Sequence, residues 1–222
     1  MRPRFLDRYD AGRHLASALS TYADRSDLLI LALPRGGVPV AYEVARALHA
    51  PLDVFLVRKL GFPGHPELAM GAIATGGVRI IDNQLVQMFG VPDDAIERVT
   101  AVEQRELERR EQLYRAGRAA PDVTGHTVIL IDDGLATGST MRAAVEALRQ
   151  EGARKIVVAV PVAPPETCES FREIVDDIVC AVTPEPFQAV GLWYANFSET
   201  SDDEVKELLA RSERESPSHA SH

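Results

Sequence analysis

The strongest constraint on this chain is a repeating pattern: a continuous apolar run, a glycine-bearing turn, then an amphipathic segment. Leu28-Leu29-Ile30-Leu31-Ala32-Leu33 has no polar member. A strand covered on one face alternates apolar and polar residues, so an unbroken run fits a strand buried on both faces of a parallel sheet. It stops at Pro34-Arg35-Gly36-Gly37. From Val38 to Leu48 the apolar residues recur at helical spacing, with Glu43 and Arg46 on the other side. This is a strand, a glycine turn and a helix.

The pattern returns along the chain. Leu52 to Val57 reads as a strand, Thr127 to Ile131 as another followed by a helix over Met141 to Leu148, and Lys155 to Val160 as the next strand. A helix over Glu166 to Val175 and a strand over Ile178 to Val182 complete the series. Strands alternating with helices of this length imply βαβ crossovers. The expected fold is α/β, a mainly parallel twisted sheet flanked by helices, forming one domain over residues 1–211. An insert falls at about 61–118, a small hood at about 184–211, and the polar tail 212–222 is expected to be disordered. Within the insert, Gly61-Phe62-Pro63-Gly64-His65-Pro66 is expected to be irregular, while Met70 to Thr75 and Val78 to Ile81 can form a hairpin about Gly76-Gly77. Pro92-Asp93-Asp94 opens a helix reaching about Arg118, whose Glu and Arg residues offset one another, as on a solvated face that packs on the domain or on a second subunit.

The formal charge of −9, from 24 Lys and Arg against 33 Asp and Glu, gives no general attraction for nucleic acid or an anionic membrane. Any phosphate site must be local. No window approaches the roughly 18 apolar residues of a membrane span, and Met1-Arg2-Pro3-Arg4-Phe5 lacks the apolar stretch of a signal peptide, so a cytoplasmic location is expected. Cys168 and Cys180 share no CxxC spacing and have no histidine nearby, and are expected to be buried or half-buried thiols.

Thr127 to Thr140 carries the chemistry. The strand Val128-Ile129-Leu130-Ile131 delivers Asp132 and Asp133 to its end, and Gly134, Ala136, Thr137, Gly138, Ser139 and Thr140 lead into a helix. In open α/β sheets ligands bind at the carboxyl ends of strands. Backbone N–H groups of such a turn converge, the helix dipole adds partial positive charge, and the hydroxyls of Thr137, Ser139 and Thr140 donate further hydrogen bonds. A phosphate monoester fits. The two acids would repel it, but they accept hydrogen bonds well from the vicinal hydroxyls of a ribose. Acids followed by a phosphate cup describe ribose 5-phosphate. The competing structural reading, that the acids cap the helix and the glycines turn the chain, needs one acid rather than two. No lysine makes this a Walker loop, and Ser139 lacks the glycines of a nucleophile elbow.

The stretch Val128-Ile129-Leu130-Ile131-Asp132-Asp133-Gly134-Leu135-Ala136-Thr137-Gly138-Ser139-Thr140 resembles the phosphoribosyl-pyrophosphate signature of the type I phosphoribosyltransferases. Leu33-Pro34-Arg35-Gly36-Gly37 resembles that family's pyrophosphate loop, and Arg58-Lys59 stands where a basic residue contacts pyrophosphate. The two side chains alternate, and Lys59 is preferred. Gly61 to Gly77 occupies the place of the mobile catalytic loop. The resemblance implies transfer of phosphoribosyl from 5-phospho-α-D-ribose 1-diphosphate to a nitrogen nucleophile, with Mg²⁺ arriving on the diphosphate and no firm protein ligand for it. It implies a homodimer and a role in nucleotide metabolism. Asp132 and Asp133 would hold the ribose, Ala136 to Thr140 the 5-phosphate, and Arg35, Gly36 and Gly37, with Lys59 or Arg58, the leaving diphosphate. His65 and Glu67 are secondary candidates, more commonly surface residues. Trp193, Tyr194 and Phe197 can stack on an acceptor ring or form an aromatic cluster under the C-terminal helix. The acceptor is open, and so is a regulatory alternative that senses the ligand without transfer. A basic nucleic-acid face would be its cue, and the net charge of −9 weighs against it.

Overall fold

The computed structural model describes residues 4–215, without the side chains of Pro66 and Glu67. After helix α1 (Arg8–Ala18) come β1 (Leu28–Ala32), α2 (Gly37–Leu48) and β2 (Leu52–Val54). Next are β3 (Val57–Phe62), β4 (His65–Ala74), β5 (Arg79–Ile81), α3 (Asn83–Met88) and the long α4 (Asp93–Arg115). The chain then runs through β6 (Thr127–Ile131), α5 (Ser139–Gln150), β7 (Lys155–Val162), α6 (Pro165–Arg172), β8 (Asp177–Val182) and α7 (Asp202–Glu215). The main sheet is parallel throughout, in the order β2-β1-β6-β7-β8.

The apolar runs split their side chains between two cores because successive residues of a strand point to opposite faces. Leu28, Ile30, Ile129, Ile131, Val157 and Ala159 face α1, α2, α4 and α7, whereas Leu29, Leu31, Val128, Leu130, Val158 and Val160 face α5 and α6, and the smaller sheet contributes residues to both cores. Each such fully buried Val, Leu or Ile stabilises the fold by about 1.5–3 kcal/mol. On α5 the buried residues Met141, Ala144, Val145 and Leu148 follow the i, i+3, i+4, i+7 stripe that the sequence shows. The charged helix α4 carries Asp93 and Asp94 in its first turn and Arg115 in its last, complementing its dipole.

Four expectations are corrected. The strand expected over Leu52 to Val57 ends at Val54, and Arg58 and Lys59 belong to a separate antiparallel sheet, β3-β4-β5. β1 has turned at Pro34, which has no N–H to offer, and the Leu56 amide instead donates to the Thr75 hydroxyl oxygen at 3.0 Å. The segment Gly61 to Pro66 is the end of a hairpin, β3 with β4, in which register shifts at Gly61 absorb the irregularity. Ser212 to Glu215, expected in a disordered tail, continue α7, whose face with Val205, Leu208 and Leu209 is buried; residues 216–222 lie outside the described residues. Cys168 and Cys180 form a disulfide rather than free thiols, because α6 folds back onto β8 and brings their Cα atoms to 6.7 Å. Among the described residues no helix is long and apolar enough to cross a membrane.

Candidate functional site

The strand order reverses direction between β1, whose crossover leads out to β2, and β6, whose crossover leads out to β7. Loops at that switch point diverge and leave a crevice at the carboxyl ends of the strands. The loop after β1 and the loop after β6 meet there. The Leu33 amide donates to the Ile131 carbonyl at 2.9 Å. A Cβ on Gly36 would lie 2.1 Å from Asp133 Oδ2, and one on Gly37 would lie 2.7 Å from the Ile131 carbonyl oxygen. Glycine is therefore required by close approach: the Arg35-Gly36-Gly37 loop lies directly on the two acids, entered through a cis Pro34–Arg35 peptide.

Asp132 Oδ1 accepts from the Asp133 amide at 2.8 Å, and Asp133 Oδ2 accepts from Arg8 Nε at 2.8 Å. Neither acid caps α5, so the capping reading does not describe them. Burial pushes the Asp132 carboxyl well above the usual carboxylate range, the adjacent Asp133 pushes it further, and Arg8 opposes both. Burial likewise raises Asp133, with the Arg8 guanidinium pulling it back. Two carboxylates held partly desolvated at a strand end are poised to accept hydrogen bonds from a ligand.

Downstream, Ala136, Thr137 and Ser139 are exposed, Thr140 is half-buried, and Gly138 takes the left-handed conformation at φ 72°. A Cβ there would lie 2.6 Å from Phe171 Cε2, so Gly138 is pinned by backbone conformation and by α6 below it. The Thr167 hydroxyl fixes the same loop by donating to the Ala136 carbonyl at 2.9 Å. No side chain caps the N-terminus of α5, and its first N–H groups and dipole favour an anion.

The remaining candidates are placed less uniformly. Arg35 pairs with Glu199 and lies 3.7 Å from Asp202, on the side of α7. Arg58, half-buried on β3, is tied to Glu103 of α4 at 2.6 Å, whereas Lys59 on the opposite side of the strand is exposed and in no ion pair among the described residues. His65 lines a groove with Phe62, Leu68, Phe89 and Pro92 rather than the loops of the crevice. The Glu67 side chain lies outside the described residues. Tyr194 is 5% exposed, packs on Phe5 and Phe197, and donates its hydroxyl to the Asp133 carbonyl at 2.5 Å, so its ring is engaged within the protein's own cluster. Trp193 is half-buried in that cluster, and Phe197 remains partly exposed, with the Arg8 guanidinium 4.0 Å above its ring.

Arg8 is the residue that sequence reasoning missed. It lies 125 positions from Asp133 and carries no local motif, and the α1 segment has weak amphipathic patterning. The one available signal was a pair of acids with no basic residue beside them, which calls for a cation from elsewhere in the fold.

Comparison with known proteins identifies the family. Residues 4–192 match the family described as phosphoribosyl transferase domain. A Mycobacterium tuberculosis protein provisionally named a phosphoribosyl transferase is 46% identical over 211 residues, covering 95% of this chain and 47% of the relative. The chain thus spans about half the length of that curated relative. The crystal structure of TT1426 from Thermus thermophilus superposes with a TM-score of 0.82 at 42% identity, covering 95% of this chain and 99% of that one. A uracil phosphoribosyltransferase from Lactobacillus gasseri is 30% identical over 176 residues, with 75% of this chain and 80% of that protein covered. With two acids at the end of β6, a glycine loop folded onto them and a family match across most of its length, the chain belongs to the phosphoribosyl transferase family.

Proposed function

We propose that this chain transfers the phosphoribosyl group of 5-phospho-α-D-ribose 1-diphosphate to the nitrogen of a small acceptor, a nucleobase or a related compound, and releases pyrophosphate. The observation that carries this reading is the packing of Gly36 and Gly37 against Asp132 and Asp133 at the head of the phosphate-cup helix α5. A ribose lying on the acids would have its 5-phosphate toward Ala136 to Thr140 and its diphosphate toward Arg35 to Gly37.

In the transfer, the bond from ribose C1 to the diphosphate oxygen breaks, its electron pair leaves with pyrophosphate, and the acceptor nitrogen forms the new bond to C1. Asp132 and Asp133 hold the ribose hydroxyls and balance the positive charge growing on the sugar. The backbone at Gly36 and Gly37, with Lys59, receives the charge of the leaving group, and Arg35 would join it by releasing Glu199. Arg58 is the weaker candidate because Glu103 already holds it. Magnesium takes oxygen ligands, commonly one or two carboxylates completed by phosphates and water. The diphosphate oxygens and water supply oxygen ligands of this kind, so the cation would be carried in by the diphosphate, and no firm protein ligand is proposed for it. When bound, it would neutralise charge on the departing diphosphate.

Phe197 and Trp193 are the proposed stacking residues for the acceptor ring. Similarity to the Lactobacillus uracil enzyme makes uracil one acceptor to try. The same reading carries a homodimer, with α4, where Val102 is 60% exposed, as its proposed face; a monomeric mass by light scattering removes that part alone. The test of function is pyrophosphate release from the diphosphate sugar and Mg²⁺ with a panel of pyrimidine, purine and other nitrogenous acceptors. Release with one acceptor class, lost in Asp132→Asn/Asp133→Asn, supports transfer. Tight binding with no release in any arm replaces transfer by sensing.

A further inference from the structure

We propose that Arg8, in the first turn of α1, is the positioning residue for Asp133, holding that carboxylate charged and aimed so that it can accept hydrogen bonds from the ligand. The inference rests on the ribose-binding role proposed for the acid pair and deepens it. Arg8 is itself fixed from several sides. Nε donates to Asp133 Oδ2 at 2.8 Å, Nη1 donates to the Ser198 carbonyl at 2.6 Å, and the guanidinium lies 4.0 Å above Phe197. Its side chain is 11% exposed and that of Asp133 16%. A long arginine loses rotamer entropy in such a pose, which suits a fixed geometry rather than general surface charge.

The arrangement has a chemical reason. Asp132 and Asp133 are adjacent and partly desolvated, so the pair resists carrying two negative charges. A protonated Asp133 would be a poorer acceptor for sugar hydroxyls, losing its charge-assisted hydrogen bonds. Arg8 offsets one of the charges and engages only Oδ2. The groups that face Asp133 are Arg8 from α1, Asp132 from its own loop and Tyr194 from the hood, whose hydroxyl holds the Asp133 carbonyl. Gly36 closes the remaining side and brings no charge, since the neighbouring Arg35 is turned to Glu199.

The test has two readouts on Arg8→Ala, Arg8→Gln and Arg8→Lys. In the apo protein, the Asp133 carboxyl is titrated by carbon NMR. In the liganded protein, affinity for 5-phospho-α-D-ribose 1-diphosphate with Mg²⁺ is measured by calorimetry across acid to mildly alkaline pH. Removing a cation at this distance should raise the Asp133 midpoint by about one to three pH units. The acid-side loss of affinity should move up in pH by the same amount for Ala and Gln, and Lys should restore most of it. A purely structural tether predicts otherwise: a lower melting temperature, an affinity reduced equally at every pH, and an unmoved Asp133 midpoint, which overturns the inference while leaving the proposed function standing. A midpoint that moves without moving the binding edge also overturns it. No binding by the wild-type protein removes the proposed function, and this inference with it.

Discussion

Gly37→Ala sets two simple expectations against each other. Gly37 opens α2 in ordinary helical conformation, so helix propensity alone says that alanine should be neutral or stabilising by up to about 1 kcal/mol. The site geometry says the opposite, because the new Cβ would stand 2.7 Å from the Ile131 carbonyl oxygen and 3.0 Å from Asp132 Cα, both of them backbone atoms. A carbon and a carbonyl oxygen rest at about 3.3 Å, so the two loops must part by about 0.5 Å. Overpacking of this kind costs about 1–3 kcal/mol. With about 1 kcal/mol of propensity gain subtracted, a net loss of up to about 2 kcal/mol remains, or up to roughly 8 °C in melting temperature for a chain of this size. Displacing the glycine loop from the acids should also weaken the diphosphate sugar at least tenfold, since misplacement on this scale is costly at a reacting site. Thermal scans and calorimetry on Gly37→Ala are compared with Gly125→Ala, where φ is 73° and nothing lies within 4 Å. That control should lose about 1 kcal/mol of stability from its left-handed backbone and keep its affinity. A Gly37→Ala protein as stable as wild type, with unchanged affinity, refutes the reasoning.

Other expectations follow from the same site. Gly138→Ala combines a left-handed φ of 72° with a Cβ 2.6 Å from Phe171, so it should lower both melting temperature and affinity for ribose 5-phosphate; affinity equal to wild type would show that the cup lies elsewhere. Because burial raises Asp132 and Asp133, the native state keeps protons that the unfolded chain has released above about pH 4. Stability should therefore fall as pH rises from there through the raised native midpoints, while affinity falls as pH drops through them. Asp132→Asn/Asp133→Asn should flatten that stability slope and leave the apo protein at least as stable at neutral pH, as urea unfolding at several pH values will show. Reduction of the Cys168–Cys180 disulfide reopens a short loop between α6 and β8 and should cost about 3 kcal/mol; a melting temperature indifferent to reductant would remove that contribution.

The sheet was legible because its strands are short, predominantly apolar and bounded by turn residues, and β1, β6, β7 and β8 all fall within or close to the runs read from the sequence. The Asp132 to Thr140 loop was legible for a similar reason, since both carboxylates and the residues of the proposed phosphate cup are contiguous. What escaped depends on contacts distant in sequence. Arg8 reaches Asp133 only through the docking of α1 against the C-terminal segment, shown by the bridge between Phe5 and Tyr194. The second sheet was half seen: the hairpin about Gly76-Gly77 was expected, but the one ending at Pro63-Gly64 was hidden by its glycines and register shifts. The disulfide was hidden because spacing does not reveal where α6 turns back. For the aromatic residues of the hood, composition left two uses open, and packing decided the matter for Tyr194.

The central claim is that Asp132 and Asp133 bind ribose hydroxyls rather than holding the fold together. The direct measurement is a calorimetric titration of wild type and of Asp132→Asn/Asp133→Asn with 5-phospho-α-D-ribose 1-diphosphate and Mg²⁺, alongside the apo melting temperature of each. Asparagine keeps the size and the capping ability of aspartate but removes its charge. Each charged hydrogen bond lost should cost about 1.5–3 kcal/mol, so affinity should fall roughly tenfold to a hundredfold per residue while the apo melting temperature does not drop. No binding by the wild type at millimolar ligand, or unchanged affinity in the double variant together with a lower apo melting temperature, would contradict the account.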